Sequence, residues 1–437
     1  GASNSSGSSI TQTLTTTGTS PGTVTYTITP VNGCTGSTIV ATVTVNPTPA
    51  ITSASTATIC SDATASINLT SNVASTYTWI AADNTNTTGE SLTTQNTNTL
   101  SNTITNNTTS TQNVIYTVTP TSTLGSCVGA SQTITVTIKP IPTATATPSS
   151  QTVCSTGATS IALTSNIAGT TYSWTTSQSG VSGASNNSGS SITQTLTATG
   201  TSAGTATYTI TPTSNSCPGA TLVIPITVNP IPTATATPTS QTFCSGNTSS
   251  IALTSGVAGT TYSWTVSQSG VSGASGASGS TIAQTISTTG TSTGTAVYTI
   301  TPTASSCSGT AISATVTVNP VPAMTSAGSA TICSNGTVNI PLTSDVVSTY
   351  TWIATNNPNT TGESITTQTT STLNNTIVST TGNTEVVIYT VTPTSTGGSC
   401  VGAAQTVSVT ISPSPIVTVT PTSQTFCSGN STSISLT

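Results

Sequence analysis

The sequence predicts an all-β molecule, a tandem array of two-sheet sandwich modules of about 90 residues. Three observations carry that prediction. Segments such as Thr42-Val43-Thr44-Val45 and Ile134-Thr135-Val136-Thr137-Ile138 alternate β-branched apolar residues with Thr, the period-2 mark of a half-buried strand. One class of cysteine recurs at 60, 154, 244, 333 and 427, giving repeats of 94, 90, 89 and 94 residues. Helix-forming patterns are missing: no stretch has 3.6-residue spacing, and Thr, Ser, Gly and Asn dominate between the apolar residues.

The 437 residues include one Lys, no Arg, no His and six acids, for a net charge of -5. Charged residues make up 2% of the chain, against about a quarter in an ordinary soluble domain. So polar and uncharged a composition also suits a disordered linker, but the strict alternation argues against it. Thr is itself β-branched and suits a pleated surface. No apolar run is long enough to cross a bilayer, so direct membrane insertion is not expected. The near absence of Lys and Arg excludes a basic nucleic-acid face and a polybasic membrane patch. The chain begins and ends inside its own repeat and so reads as a fragment, with targeting signals expected outside it.

A longer period lies above the module. Cys34, Cys60, Trp79, Tyr116 and Cys127 return 273 residues later as Cys307, Cys333, Trp352, Tyr389 and Cys400, and Ser75-Thr-Tyr-Thr-Trp-Ile-Ala returns at Ser348. A three-module block has been duplicated. The expected organisation is the C-terminal part of a module at 1–46, complete modules at 47–140, 141–230, 231–320 and 321–413, and the N-terminal part of another at 414–437. The size of each complete module is that of one Ig-like sandwich.

Within a module the elements follow in a fixed order. A proline-rich junction such as Asn229-Pro-Ile-Pro232 leads into a first strand, Thr233 to Phe243, and Cys244-Ser-Gly-Asn makes a turn. Ser250–Thr254 is the second strand and Tyr262-Ser-Trp264 marks the third. A Gly/Ser-rich stretch, 267–280, precedes Thr281–Ile286; Ala296–Thr301 is the penultimate strand; and a turn at Cys307 leads to the last, Ala311–Val318. Seven strands with turns between them make a two-sheet sandwich. Short proline junctions stiffen the links between modules, so a rod advancing roughly 35–45 Å per module is expected.

Candidate chemistry is sparse. Without His there is no Ser-His-Asp or Cys-His nucleophile pair, and no enzyme activity or cofactor is expected. The cysteines form no C-x-x-C pair, and Asp62, Asp83, Glu90, Asp345, Glu363 and Glu385 form no D-x-D-x-D loop, so no metal site is expected from them. Glu90 and Glu363 both stand in Thr-Thr-Gly-Glu-Ser and read as loop contacts, a cation site built on backbone carbonyls being the other reading. Trp79, Trp174, Trp264 and Trp352 occur once per module in the third strand, and Tyr116, Tyr208, Tyr298 and Tyr389 once in the penultimate one. That regularity marks core pins rather than stacking platforms for ligands. Thr-x-Thr runs also resemble flat ice-binding arrays, but outward positions of sandwich strands explain them more simply. N-x-Ser/Thr triplets such as Asn68, Asn107, Asn247 and Asn359 arise by chance in so Asn-, Ser- and Thr-rich a chain.

An even, regular set of cysteines in so low-charge an array reads as disulfides. Cys60, Cys154, Cys244 and Cys333 follow the first strand, whereas Cys127, Cys217, Cys307 and Cys400 lie in the turn before the last. In an Ig topology these turns sit at opposite poles, which favours staples across junctions: Cys60–Cys217, Cys154–Cys307 and Cys244–Cys400. Under this scheme Cys34, Cys127, Cys333 and Cys427 lack partners because the chain is cut. Pairing inside a module, Cys60–Cys127 and its equivalents, is the alternative.

The Cys-x-Gly turn, the Tyr-x-Trp strand, the Tyr-Thr-Val/Ile-Thr-Pro strand and the Gly/Ser-Cys turn resemble the tandem PKD-like and Ig-like repeats of very large surface proteins of Bacteroidota. These include gliding adhesins exported by the type IX secretion system. The WDFGDG-type motif of standard PKD domains is missing, which points to the divergent branch. The resemblance implies secretion to the cell surface and a stalk that gives length and stiffness for attachment or gliding. Any surface or glycan ligand would then be held by domains outside this segment. A self-assembling fibre or sheath is the alternative, since low charge opposes lateral association weakly. A carbohydrate-binding array is a third reading, which the few aromatics disfavour.

Overall fold

The computed structural model describes residues 1–437, which fall into two compact units, Gly1–Asn229 and Pro230–Thr437. No helix is present. In the first unit, β1 (Gly22–Ile28) and β2 (Ile39–Val45) pair antiparallel, with Val24 opposite Val43 and Tyr26 opposite Ala41.

The following module contains β3 (Thr56–Cys60), β4 (Ala63–Asn68), β5 (Ser75–Ala81), β6 (Thr99–Asn106), β7 (Gln112–Ser122) and β8 (Gln132–Lys139). One sheet runs in the order β3-β8-β7-β5; the other is built on β4 and β6 with the short strand Thr87–Thr88. Alternation decides which face is buried: β7 turns Val114, Tyr116 and Val118 inward and leaves Ile115 and Thr117 outside. Those side chains meet Ile67 and Ile104 of the other sheet, with Trp79 in the same cluster. Each large apolar side chain so buried contributes about 1.5–3 kcal/mol.

In the second unit the same plan is carried by β9 (Thr235–Thr237), β10 (Ser240–Cys244), β11 (Gly294–Ala304) and β12 (Ile312–Asn319), among others. Here the structure corrects the sequence reading of a single first strand from Thr233 to Phe243. β9 pairs antiparallel with Ile251–Thr254 in one sheet, and β10 pairs parallel with β12 in the other. Pro238 separates them. It has no N–H to donate to a ladder, so the first pairing ends there and the chain crosses to the opposite sheet. Residues 144–154 divide in the same way around Pro148.

Four separate cores result, one in each complete sandwich. The second unit closes with a short antiparallel pair, β13 (Val419–Thr420) and β14 (Ser435–Leu436).

Candidate functional site: the junction between modules

The parallel pairing of β3 with β8 determines where the cysteines go. Cys60, the last residue of β3, lies opposite Lys139 at the end of β8. Cys127 lies in the turn before β8 begins, so the length of that strand, roughly 23 Å at the usual rise, separates the two. Disulfide bonding needs Cα atoms within about 7 Å. Cys127 is accordingly a free thiol, and Cys60 is bonded instead to Cys217 of the next module, with Cα atoms 5.6 Å apart. In the second unit Cys244 is bonded to Cys400, again at 5.6 Å. Cys154, opposite Asn229, and Cys307, opposite Ala304, are both disulfide-bonded. Cys34, Cys333 and Cys427 are free and exposed.

The turn that carries the second cysteine is a Cys-x-Gly hairpin, and its glycine is required by packing. The Gly219 N–H donates to Pro212 O at 2.8 Å and closes the turn. A Cβ on Gly219 would collide with the carbonyl oxygen of Pro142, the second junction proline. Gly129 with Pro49, Gly309 with Pro232 and Gly402 with Pro322 repeat the contact. The junction proline therefore seats directly on the hairpin whose cysteine is stapled, and sequence reading missed this role for the glycine. The two motifs, Cys-x-Gly and a Pro-x-Pro junction upstream of it, recur together in the sequence. At one junction the only Lys adds a third tie, the Lys139 ammonium donating to Asn215 O at 3.0 Å.

The aromatic residues are interior. Trp79, Trp174, Trp264 and Trp352 are 3%, 5%, 6% and 3% exposed, and the four penultimate-strand tyrosines are fully buried. Trp79 meets Tyr116 edge-on with ring centroids 5.8 Å apart, as Trp352 meets Tyr389. Each tyrosine hydroxyl donates to a side-chain amide 14 residues earlier: Tyr116 to Asn102, Tyr208 to Gln194, Tyr298 to Gln284 and Tyr389 to Asn375, at 2.7–2.8 Å. Tyr26 reaches Gln12 in the same way at 3.0 Å. These amides were also missed, although their constant spacing is legible in the sequence. Burial pushes the Tyr208 hydroxyl up to about 12. Burial likewise raises Tyr116 and Tyr389, and the nearby carboxylates of Glu90 and Glu363 raise them further.

The acids serve loops. Glu90 Oε1 accepts from Thr87 Oγ1 at 2.9 Å, and Glu363 from Thr360 at the same distance. In both residues Oε2 is buried without a hydrogen-bond partner. Asp62 accepts from Thr105 at 2.6 Å, Asp345 from the Ala323 N–H at 2.7 Å and Glu385 from Thr381 at 2.7 Å. No three His, Cys, Asp or Glu side chains come together as a metal site.

Several solved structures show some likeness. Protocadherin gamma B2 extracellular cadherin domains 3–6 align over 84% of this chain and 100% of theirs, at 11% identity and a TM-score of 0.25. The titin I-band fragment I67–I69 aligns over 60% and 95%, at 9% and 0.32. The insect immune protein hemolin aligns over 84% and 100%, at 10% and 0.23. No curated protein matches the chain. The family is assigned instead by sequence: residues 1–49, 57–142, 151–232, 241–322 and 330–415 each match the PKD-like domain. Tandem modules of this kind, joined by disulfides, make an extracellular array of structural or adhesion type. The chain belongs to the PKD-like domain family and consists of its modules repeated end to end.

Proposed function

We propose that this array is the stalk of a very large cell-surface adhesin, of the gliding-adhesin type known in Bacteroidota and exported by type IX secretion. The observation that supports it best is the doubly linked junction. The peptide chain through Lys139-Pro140 and the disulfide Cys60–Cys217 both cross between neighbouring modules, and Gly219 seats Pro142 between them. Two covalent links resist bending and pulling better than one. Cys154 and Cys307 complete the series as a third staple in this reading. Adhesion to a surface or glycan then belongs to domains beyond residues 1–437, and the array supplies reach.

Small-angle scattering of the chain tests this. Four sandwiches in a row span on the order of 160 Å at the strand rise. A radius of gyration near 22 Å, expected for a compact chain of this length, would remove the stalk reading. Non-reducing peptide mapping checks the third staple, which requires a peptide linking Cys154 to Cys307.

A further inference from the structure

We propose that Glu90 and Glu363 each hold a calcium ion, which ties the loop that carries the glutamate to the core of its module. The inference does not depend on the stalk reading.

The two glutamates occupy a position that the other two complete modules fill with alanine. Gly89, Gly183, Gly273 and Gly362 all have φ between 94° and 100°. A Cβ on each would collide with a main-chain carbonyl oxygen, that of Thr103, Thr195, Thr285 or Thr376. Two residues later Ser91, Ser185, Ser275 and Ser364 each donate the backbone N–H to the side-chain amide that also takes the tyrosine hydroxyl. These shared contacts match the four loops residue by residue. Between glycine and serine stand Glu90, Ala184, Ala274 and Glu363, and two residues before the glycine stand Thr87, Val181, Val271 and Thr360.

Val181 with Ala184, and Val271 with Ala274, belong to the apolar cores of their modules. In the other two modules a hydroxyl and a carboxylate replace this apolar pair. The place is as well covered: Thr87 and Thr360 are each 5% exposed, against 7% for Val181 and Val271. Each carboxylate is only half satisfied. Glu90 Oε1 accepts from Thr87 Oγ1 at 2.9 Å and from the Asn84 N–H at 3.4 Å. Glu363 Oε1 accepts from Thr360 Oγ1 at 2.9 Å and from the Asn357 N–H at 3.3 Å. In both, Oε2 is buried and receives no hydrogen bond. A buried charge without a partner is among the costliest features a fold can carry, yet the duplicated block carries it twice, 273 residues apart.

The chain cannot supply that partner itself. It has one Lys, no Arg and no His, and the Lys139 ammonium is engaged with Asn215 O at 3.0 Å. The nearby phenols do not serve either, because Tyr116 and Tyr389 donate their hydroxyl hydrogens to Asn102 and Asn375. A positive partner for Oε2 therefore comes from solution.

The donors at hand are all oxygens: a carboxylate, the Thr87 or Thr360 hydroxyl and main-chain carbonyls. Oxygen donors select a hard cation. Magnesium demands a near-ideal octahedron and gives up its waters reluctantly, whereas calcium accepts irregular sets and keeps some waters. One carboxylate completed by neutral oxygens and water makes a weak site, with a dissociation constant of about 0.1–1 mM, the range of extracellular modules. In modules 141–230 and 231–320 valine and alanine pack the same place, and no ion is needed there.

The test is isothermal titration of the full chain with calcium chloride in a metal-free buffer at neutral pH. The expected result is two ions bound per chain. Glu90→Ala and Glu363→Ala, which copy Ala184 and Ala274, should each keep one ion, and the double variant none. Peptides linking Cys60 to Cys217 and Cys244 to Cys400 verify that the variants fold. Absence of binding at calcium concentrations tenfold above the expected constant overturns the proposal. So does binding that persists in the double variant. A protonated-carboxyl band in the infrared spectrum at neutral pH that disappears in the double variant overturns it as well, because a proton then stands where the ion should.

Discussion

Cys60 and Cys217 stand 157 residues apart in the chain and 5.6 Å apart at their Cα atoms, in neighbouring modules. Tension applied to the ends of the molecule therefore passes through the sulfur bridge and bypasses everything between the two residues.

That bypass predicts the extension of a single molecule. With both staples intact, residues 61–216 and 245–399 are shielded, and unfolding them adds no length. Reduction should add two increments of roughly 500–560 Å each, from residues extended at about 3.3–3.6 Å apiece. Force spectroscopy with and without reductant reads this directly; equal contour lengths in both conditions would contradict it. Through chain entropy each bond is worth about 5 kcal/mol at most.

Gly219→Ala places a methyl group against the Pro142 carbonyl. We expect a loss of about 1–3 kcal/mol, as for other overpacked sites, with faster proteolysis near residue 142. Gly200→Ala, where a Cβ meets nothing within 4 Å, is the control and should leave the melting temperature unchanged.

The tyrosine–amide pair makes a double-mutant cycle. Tyr298→Phe removes one hydrogen bond but leaves Gln284 held by Ser275, at a cost of about 0.5–1.5 kcal/mol. Gln284→Leu takes away the Tyr298 hydroxyl's amide acceptor and leaves it only Ser249, besides freeing Ser275, and should cost about 1–3 kcal/mol. Chemical denaturation of the four species gives the coupling, and perfectly additive losses would show that the pair does not act as one.

Alkali should unfold the array where acid-base chemistry elsewhere is silent. Burial raises the penultimate-strand tyrosines Tyr116, Tyr208, Tyr298 and Tyr389 above the unfolded value of about 10, Tyr208 to about 12. The folded state thus prefers the neutral phenol. Its stability is complete below pH 10 and is lost as pH rises through about 12. With no His and one Lys, melting temperatures should be nearly flat from about pH 6 to 9. Calorimetry across this range, with phenolate absorbance followed in parallel, checks both halves.

Much of the molecule was legible before any coordinates. Alternation of Val and Ile with Thr is enough to specify strands and their buried faces, because side chains point to opposite sides at every step. The cysteine period and the 273-residue duplication specify a tandem array, because only a repeated unit repeats its core residues. What only the tertiary structure decided was the path of the chain between sheets. Spacing in sequence left pairing within a module and across a junction both standing. The break at Pro238, which sends β10 alongside β12, carries Cys244 to the far pole of its sandwich and against Cys400. The two motifs recur in the sequence, but the seating of Pro142 on Gly219 was likewise decided only by the fold, because it joins residues 77 positions apart through contact alone. Local pattern determines the elements, whereas long-range pairing, a competition among distant surfaces, determines which ends meet.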